Sequence, residues 1–170
     1  GAAAGTSATL AYTENGGAVA IAPTATVSDV DSANFNSGSL SVAFTANGST
    51  ADQLTIQNQG VAAGQIGVSG ANVTFGGVII GAFAGGANGS TLVVTFNSAT
   101  ATTAAAQALI QRIQYSNTSD NPSTLARALS YTLNDGDGGA STSVTTATIN
   151  VTAVNDAPVV DLNGAAAGVN

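Results

Sequence analysis

Residues 129–139 read Leu-Ser-Tyr-Thr-Leu-Asn-Asp-Gly-Asp-Gly-Gly, and this stretch indicates the class of fold. Leu129, Tyr131 and Leu133 alternate with small polar residues, which is the period of a strand with one buried face. The Asn-Asp-Gly-Asp-Gly-Gly run that follows is rich in turn-forming residues and ends the strand. The same period recurs along the chain in four further sets: Leu40, Val42 and Phe44; Leu54 and Ile56; Leu92, Val94 and Phe96; Ile149, Val151 and Ala153.

Seven or more short strands separated by turn clusters predict an all-β fold, a Greek-key β-sandwich. The length of 170 residues suits one domain with a single core. Gly76, Gly77 and Gly81 interrupt the apolar run 78–80, which predicts a bulge or an edge hairpin there. The predicted strands lie near residues 8–13, 18–28, 39–46, 53–58, 113–117, 126–134 and 142–154, with a hairpin region at 66–96.

One segment has a helical period instead. Residues 103–113 read Thr-Ala-Ala-Ala-Gln-Ala-Leu-Ile-Gln-Arg-Ile, and Leu109, Ile110 and Ile113 share a face at helical spacing. Thr102 or Thr103 can cap the N-terminus. We therefore expect one short helix within 102–113, crossing from one sheet to the other.

Composition removes several classes of function. The chain has no Cys and no His, so thiol and imidazole chemistry, the usual zinc and copper ligands and a Ser-His-Asp triad are absent. Aromatic residues are scarce, which argues against the sugar platforms of a glycosidase. These absences predict a protein that is not an enzyme.

Charge is sparse and acidic. The two cations are Arg112 and Arg127, against nine acids, for a net charge of −7. A nucleic-acid partner needs clustered Lys or Arg and is not expected. Binding to an anionic membrane is not expected for the same reason. No apolar run approaches the roughly 18 residues of a membrane-spanning helix, so membrane insertion is not expected either.

The two ends of the chain share a pentapeptide. Gly-Ala-Ala-Ala-Gly occupies residues 1–5 and recurs at residues 164–168. The offset is 164 − 1 = 163 residues, which suggests a tandem repeat of about that length. We therefore expect residues 1–157 to form one repeat, and residues 158–170 to be the linker and the start of the next.

The acids lie in turns and linkers, where Asp is also common as a turn residue. In a Greek-key sandwich the loops after the second strand and before the last strand fall at the same end. This topology predicts that Asp29, Asp31, Asp135 and Asp137 converge at the N-terminal end. Their carboxylates repel one another unless a cation joins them, and Ca²⁺, which takes six to eight oxygen ligands, suits such a site. Asn34 or Asn36 can add an oxygen.

An EF-hand loop does not explain these acids. Counting from Asp135 as position one, position twelve is Thr146 rather than the bidentate Glu that an EF-hand requires.

Two stretches carry a family resemblance. Tyr131-Thr-Leu-Asn-Asp-Gly-Asp-Gly-Gly139, followed by Val151-Thr-Ala-Val-Asn-Asp-Ala-Pro158, resembles the end of a cadherin-like repeat. Tyr115-Ser-Asn-Thr-Ser-Asp-Asn-Pro122 makes it more similar to the cadherin-like tandem repeats of large bacterial surface adhesins. The resemblance covers nearly the whole chain and implies a sandwich of the cadherin or immunoglobulin type.

The resemblance also implies Ca²⁺ between successive repeats. Two features depart from the family: Ala153 stands where its linker usually has Asp, and Asp120 is the sole stand-in for its D-R-E motif. One or two ions per junction are therefore expected. By position, the resemblance implies ligands from Asp29, Asp31, Asn34 and Asp135 at the N-terminal end, where the loop topology adds Asp137. At the C-terminal end and linker it implies ligands from Glu14, Asn155 and Asp156, with Asp120 as the stand-in.

Three functions follow as hypotheses. The first is a spacer or stalk repeat of an extracellular bacterial adhesin or surface filament, whose partners are neighbouring copies joined head to tail. The second is a ligand-binding module for a carbohydrate or another cell surface. The third is a filament subunit that polymerises through its termini by strand exchange. The shared pentapeptide and the scarcity of aromatic residues favour the first.

Overall fold

The chain folds into a sandwich of two β-sheets. The structure, a computed structural model, describes residues 7–137, 142–158 and 160, with the side chains of residues 142 and 143 left out. The strands are β1 (Ala8–Thr13), β2 (Val19–Ala20), β3 (Ser39–Ala46), β4 (Asp52–Ile56), β5 (Ile66–Ser69), β6 (Asn72–Phe75), β7 (Val78–Gly85), β8 (Leu92–Phe96), β9 (Ile113–Asn117), β10 (Arg127–Asn134) and β11 (Thr142–Thr152).

The strand order confirms the predicted Greek-key β-sandwich. The larger sheet has eight strands in the order β1-β11-β10-β3-β8-β7-β6-β5, and the smaller has three in the order β2-β9-β4. Within these sheets, β11, β10 and β3 take the places of strands G, F and C of an immunoglobulin-type sandwich. Strands β2, β9 and β4 take the places of B, E and D, so the chain crosses between the sheets as that topology requires.

The core lies between the sheets and follows the alternation in the sequence. Leu129 and Tyr131 of β10 are buried, as are Leu40 and Val42 of the paired strand β3. Their neighbours in sequence are partly exposed on the other face. Removing these apolar side chains from water is the main term that holds the two sheets together.

Strands β5–β8 form an antiparallel meander that extends the larger sheet beyond β3. Gly76 and Gly77, at φ 58° and 82°, make the two-residue turn between β6 and β7, a conformation that favours glycine. The register of this pair shifts between Val73 and Thr74, opposite Gly81. The bulge predicted from the glycines is therefore present.

The predicted helix is α1 (Thr103–Gln111), which connects β8 of the larger sheet to β9 of the smaller one. Thr102 is the N-cap, and its hydroxyl accepts a hydrogen bond from the Ala105 backbone N–H at 3.3 Å. Leu109 and Ile110 are buried, as the helical spacing predicts. The prediction of one short helix crossing between the sheets is confirmed.

The strand predicted at 18–28 is wrong over most of its length, because only β2 (Val19–Ala20) is regular. Ile21 still donates its N–H to the Ile113 carbonyl of β9 at 3.0 Å, but beyond it the segment makes hydrogen bonds to α1. The Val27 N–H donates to Gln107 Oε1 at 3.1 Å, and Gln111 Nε2 donates to the Ala25 carbonyl at 2.7 Å. Pro23, which has no N–H, also interrupts a strand ladder.

The other predicted strand ranges agree with the observed bounds to within two residues, and those of β1, β3 and β9 coincide with them. Both copies of the shared pentapeptide lie outside the described residues. Of the predicted linker and next repeat at 158–170, the structure describes residues 158 and 160 alone. Within the described part of the chain, no helix is long and apolar enough to cross a membrane.

The N-cap of α1 can be tested by Thr102→Ala. Loss of the hydroxyl leaves the Ala105 N–H without its side-chain partner and should lower the free energy of unfolding by about 1 kcal/mol, measured by urea denaturation. Thr103→Ala, one residue later, is the matched control and should change it by less than about 0.5 kcal/mol. Equal losses in the two variants would contradict the cap.

Candidate functional site

Two loops meet at the end of the sandwich where β3 begins and β10 ends. Ser39 pairs with Asn134 across these strands, so the loop before β3 lies against the loop after β10. At Gly136, whose φ is +90°, an added Cβ would lie 2.5 Å from the Asn36 carbonyl oxygen and 2.6 Å from the Gly38 nitrogen. The two backbones therefore touch, and this contact positions the acids that flank it.

The four aspartates predicted to converge are brought to this one end, and Ser32 joins the two loops. Its hydroxyl lies 2.7 Å from Asp137 Oδ2 and 3.4 Å from Asp135 Oδ2. Asp29 Oδ1 accepts the backbone N–H groups of Asp31 at 3.2 Å and Ser32 at 3.0 Å, which fixes that turn. We call Asp29, Asp31, Asp135 and Asp137 the N-terminal acid cluster.

Neighbouring carboxyl groups in this cluster interact electrostatically. A side-chain hydrogen bond to Asp29 and the negative charge of Asp29 raise the pKa of Asp31 above its usual 3.8, with a further contribution from the charge of Asp135. Hydrogen bonds from the N–H groups of Ser32 and Asp31 lower the pKa of Asp29. Asp31 is therefore close enough to Asp29, and more weakly to Asp135, to be repelled by their charges, and a bound cation would relieve that repulsion.

Asn34 lies in the same loop but turns back on it. Its Oδ1 accepts the Asn36 N–H at 3.0 Å, which closes a local turn. The structure thus places Asn34 on the cluster's loop without a bond to the acids.

The opposite end of the sandwich holds Glu14, directly after β1. Only 4 % of this residue is exposed. Its Oε2 accepts the Val154 N–H at 2.7 Å, and its own N–H donates to the Thr152 carbonyl at 2.9 Å. Its Oε1 is buried and has no hydrogen-bond partner among the described residues. A buried carboxylate oxygen without a partner is costly and indicates a missing donor or cation.

The other acids predicted for this end are not assembled around Glu14. Asp120, Asn155 and Asp156 are exposed, and their side chains make no hydrogen bond or ion pair to any part of the chain that the structure describes. Across residues 7–137, 142–158 and 160, no three or more His, Cys, Asp or Glu side chains form a group arranged to hold a metal ion.

The sequence analysis missed a buried charged network between the sheets. Asp52 of β4 is 0 % exposed and Arg127 of β10 is 1 % exposed, and Arg127 Nε lies 3.4 Å from Asp52 Oδ1. The same Oδ1 accepts Tyr115 OH at 2.5 Å and Asn117 Nδ2 at 2.7 Å. Ser49 donates its N–H and hydroxyl to Oδ2 at 2.7 and 2.9 Å.

Arg127 has backbone partners in addition to Asp52. Its Nη1 donates to the Ser123 carbonyl and, at 2.8 Å, to the Leu125 carbonyl. The signal for this pair was present in the sequence. Arg127 lies at the inward position two residues before Leu129 and Tyr131 in the alternating pattern, and Asp52 lies at the inward position two residues before Leu54. A charge at an inward position needs a partner.

Burial raises the pKa of Asp52, but hydrogen bonds from Tyr115, Asn117 and Ser49 lower it more, so the net pKa lies below 3.8. Burial, the hydrogen bond to Asp52 and its negative charge together raise the pKa of Tyr115. Because the folded-state pKa of Asp52 is lowered, its contribution to stability is present above its unfolded pKa and is lost as pH falls through the folded value.

An open cleft of about 450 Å³ lies beside the connection from β3 to β4. Its lining is uncharged and includes Phe44, Asn47, Thr50 and Asn88. Phe44 offers little free surface. Its ring centroid lies 6.3 Å from that of Tyr115, and a Cβ added at Gly48 would lie 2.6 Å from the Phe44 Cβ.

Comparison with known proteins found no family model, no curated protein and no solved structure that matches this chain.

The buried pair can be tested by Asp52→Asn, which leaves Arg127 buried without a counter-charge. The free energy of unfolding should fall by about 3–5 kcal/mol, measured by urea denaturation at pH 7. The variant should also lose part of the stability change that the wild type shows below about pH 4. Asp120→Asn, the exposed control, should cost less than about 0.5 kcal/mol. A cost below about 1 kcal/mol for Asp52→Asn would contradict the network's role.

Proposed function

We propose that the chain is a structural spacer repeat of an extracellular bacterial adhesin or surface filament, in which Ca²⁺ stiffens the junctions between successive repeats. The observation that carries the proposal is the parallel pairing of the first strand with the last, with carboxylates at both ends of the sandwich.

Strands β1 and β11 run side by side in the same direction, from Ala8 paired with Ala147 to Thr13 paired with Thr152. The chain therefore enters and leaves the domain along one axis and in one direction. A unit of this geometry joins the next copy head to tail without reversing. In such an array the N-terminal acid cluster of one copy faces the Glu14 end of the copy before it.

The N-terminal acid cluster suits Ca²⁺ better than a protein cation. Neither arginine neutralises it, because Arg127 binds Asp52 and Arg112 donates to Gln57 at 3.4 Å. Carboxylates with nearby backbone carbonyls provide the oxygen ligands that Ca²⁺ takes in flexible geometry. The cluster alone does not close a coordination shell, so further ligands would come from water and from the preceding repeat. Weak affinity in the isolated chain follows.

Glu14 is the candidate ligand for an ion at the opposite end of the sandwich. Its unpartnered Oε1 is a buried anionic ligand, and its Oε2 already binds the backbone of the segment that leaves β11. An ion held there would fix the direction of the linker in which Asn155 and Asp156 lie. Asp120, exposed on the loop after β9, is the third acid that could approach it. We infer one or two ions per junction.

A ligand-binding module is the second candidate, and the open cleft beside β3 favours it. Its uncharged amide and hydroxyl lining suits a carbohydrate. It ranks below the spacer because the one aromatic side chain there is already packed against Tyr115 and Gly48. We infer no catalytic role, since the cleft holds no acid, base or nucleophile beyond Ser and Thr hydroxyls.

Calcium should stabilise the isolated chain. Extracellular Ca²⁺ modules bind at about 0.1–1 mM, so about 10 mM Ca²⁺ should add roughly 1.4–2.7 kcal/mol by mass action. The melting temperature should rise by roughly 3–10 °C for a domain of this size, measured by thermal melts with chelator and with excess Ca²⁺. Mg²⁺ should do much less, because it demands octahedral geometry and keeps its waters.

Two substitutions distinguish the Ca²⁺ effect at the N-terminal acid cluster from the Ca²⁺ effect at the Glu14 end of the sandwich. Asp31→Asn should remove the part of the Ca²⁺ effect that arises at the acid cluster, and Glu14→Gln the part that arises at the linker. Without metal, Asp31→Asn should be neutral or slightly stabilising, because it relieves repulsion with Asp29. If wild-type melts with chelator and with Ca²⁺ coincide, the acids are turn residues and the calcium proposal is wrong for the isolated domain.

A further inference from the structure

Two sheets have four edges, and three of them are protected against pairing with another chain. Edge strand β5 turns the backbone groups of Ile66 and Val68 outward, and Asn58 and Gln59 satisfy all four groups, three through side chains and one through a backbone N–H. Asn58 Oδ1 and Nδ2 bind the N–H and C=O of Val68 at 3.2 and 3.3 Å. Gln59 accepts the Ile66 N–H at 3.2 Å with its Oε1 and donates its own N–H to the Ile66 carbonyl at 2.7 Å. No outward group of Ile66 or Val68 remains open to a partner.

The edges of the smaller sheet are protected in other ways. The outward N–H of Leu54 in β4 donates to the Gly86 carbonyl at 2.7 Å, so the turn after β7 covers that edge. Strand β2 has two residues and is too short to act as a template. Side-chain caps, covering turns and very short edge strands are the usual devices against edge-to-edge association.

Strand β1 is the fourth edge, and it carries none of these devices. The Glu14 N–H donates to Thr152 of β11, so by alternation Tyr12 and Leu10 also face β11. The N–H and C=O groups of Thr9, Ala11 and Thr13 therefore point away from the sheet. Within the described structure, the Thr13 carbonyl, which accepts the Gly16 N–H at 3.0 Å, is the one outward group with a partner.

The side chains of β1 are compatible with pairing. Thr9, Ala11 and Thr13 are exposed, small and uncharged. The strand has no Lys, no Pro and no bulge, although the chain uses bulges elsewhere in the same sheet. By contrast with β5, the outer edge of β1 has no protecting device among the residues that the structure describes.

We propose that the outer edge of β1 pairs antiparallel with the β1 edge of a second copy of this chain, on a two-fold axis through Ala11. The outward-facing residues read Thr-Ala-Thr at 9, 11 and 13, which is the same in both directions. Antiparallel pairing about Ala11 therefore places Thr9 opposite Thr13 of the other copy at both ends, and Ala11 opposite Ala11. Cross-strand Thr pairs are favourable, and no charge opposes another. A two-fold contact of this kind closes on itself.

The pairing joins two eight-stranded sheets into one, and β1 keeps its own place beside β11. One six-residue edge gives weak association between free chains. Because β1 runs along the direction in which copies are joined, the antiparallel contact pairs stalks that run in opposite directions. Copies held side by side in such stalks experience an effective concentration of about millimolar, which strengthens a weak contact repeated along the stalk. This inference goes beyond the proposed spacer function and does not depend on Ca²⁺.

Single cysteines test the register directly, because the chain contains no Cys. The outward residues would form hydrogen-bonded pairs with Cα atoms about 5.5 Å apart, within the range of about 4.4–6.8 Å for a disulfide. In chelator and oxidised glutathione, Ala11→Cys should form a disulfide dimer at least about tenfold faster than Thr146→Cys. Thr146 is the matched control, exposed on the adjacent strand β11.

The proposed register also places Thr9 of one copy opposite Thr13 of the other, which can be tested separately. Thr9→Cys and Thr13→Cys should each dimerise slowly alone and rapidly when mixed. Wild-type protein in sedimentation equilibrium should show a mass that rises reversibly above 16.2 kDa with concentration. Equal cross-linking of Ala11→Cys and Thr146→Cys, no gain on mixing the two threonine variants, or a wild-type chain that stays monomeric up to about millimolar concentration would each overturn the proposal. Because Ca²⁺ is absent throughout, such a failure would leave the calcium proposal standing.

Discussion

The parallel pairing of β1 with β11 is the contact on which the arrangement of both ends depends. It joins residues about 140 positions apart in the chain and gives the first and last strands one direction. It places Glu14 against the segment that leaves the sandwich, and it leaves the aspartate loops at the far end of β11. The same pairing occupies one side of β1, and among the described residues the other side is bonded at the Thr13 carbonyl alone. The proposed head-to-tail linkage and the proposed lateral contact would both depend on this one strand pair.

An ion pair between Asp52 and Arg127 joins the two sheets across the interior. The chain has almost no other cations. Two unpaired charges would be prohibitively costly there, but Asp52 receives five hydrogen-bond or ionic contacts and Arg127 adds two backbone carbonyls. The pair matters more for the alignment of the two sheets than for net stability, because apolar residues could fill the same space. It fixes β10 against β4 and β9 across the core. The other acids that the structure describes lie at the ends of the sandwich, where the proposed junctions would be.

Much of this fold could be read from the sequence, and the failures have physical causes. Period-two alternation located β3, β8, β10 and β11, and the Thr102–Ile113 pattern located the helix, because burial on one face leaves that signature. The segment 21–28 was misread since Gln107 and Gln111 satisfy its backbone from a distance, which no local pattern records. Greek-key topology was enough to bring the four aspartates to one end. It could not show that Asn34 turns back on its own loop, that Glu14 is buried with one oxygen unpartnered, or that the outer edge of β1 is left without a protecting device among the described residues. Those features depend on long-range side-chain packing.

We propose that the carboxylates at the two ends bind Ca²⁺, and amide NMR during a Ca²⁺ titration can test this residue by residue. We expect saturable shifts confined to two sets of backbone N–H groups, at residues 29–38 with 134–137 and at residues 13–16 with 152–156, while the core strands stay unchanged. The midpoint should lie at about 0.1–1 mM, and Mg²⁺ should not reproduce the shifts at the same concentration. Small shifts spread over all exposed acids without saturation would show non-specific screening, and would contradict the claim.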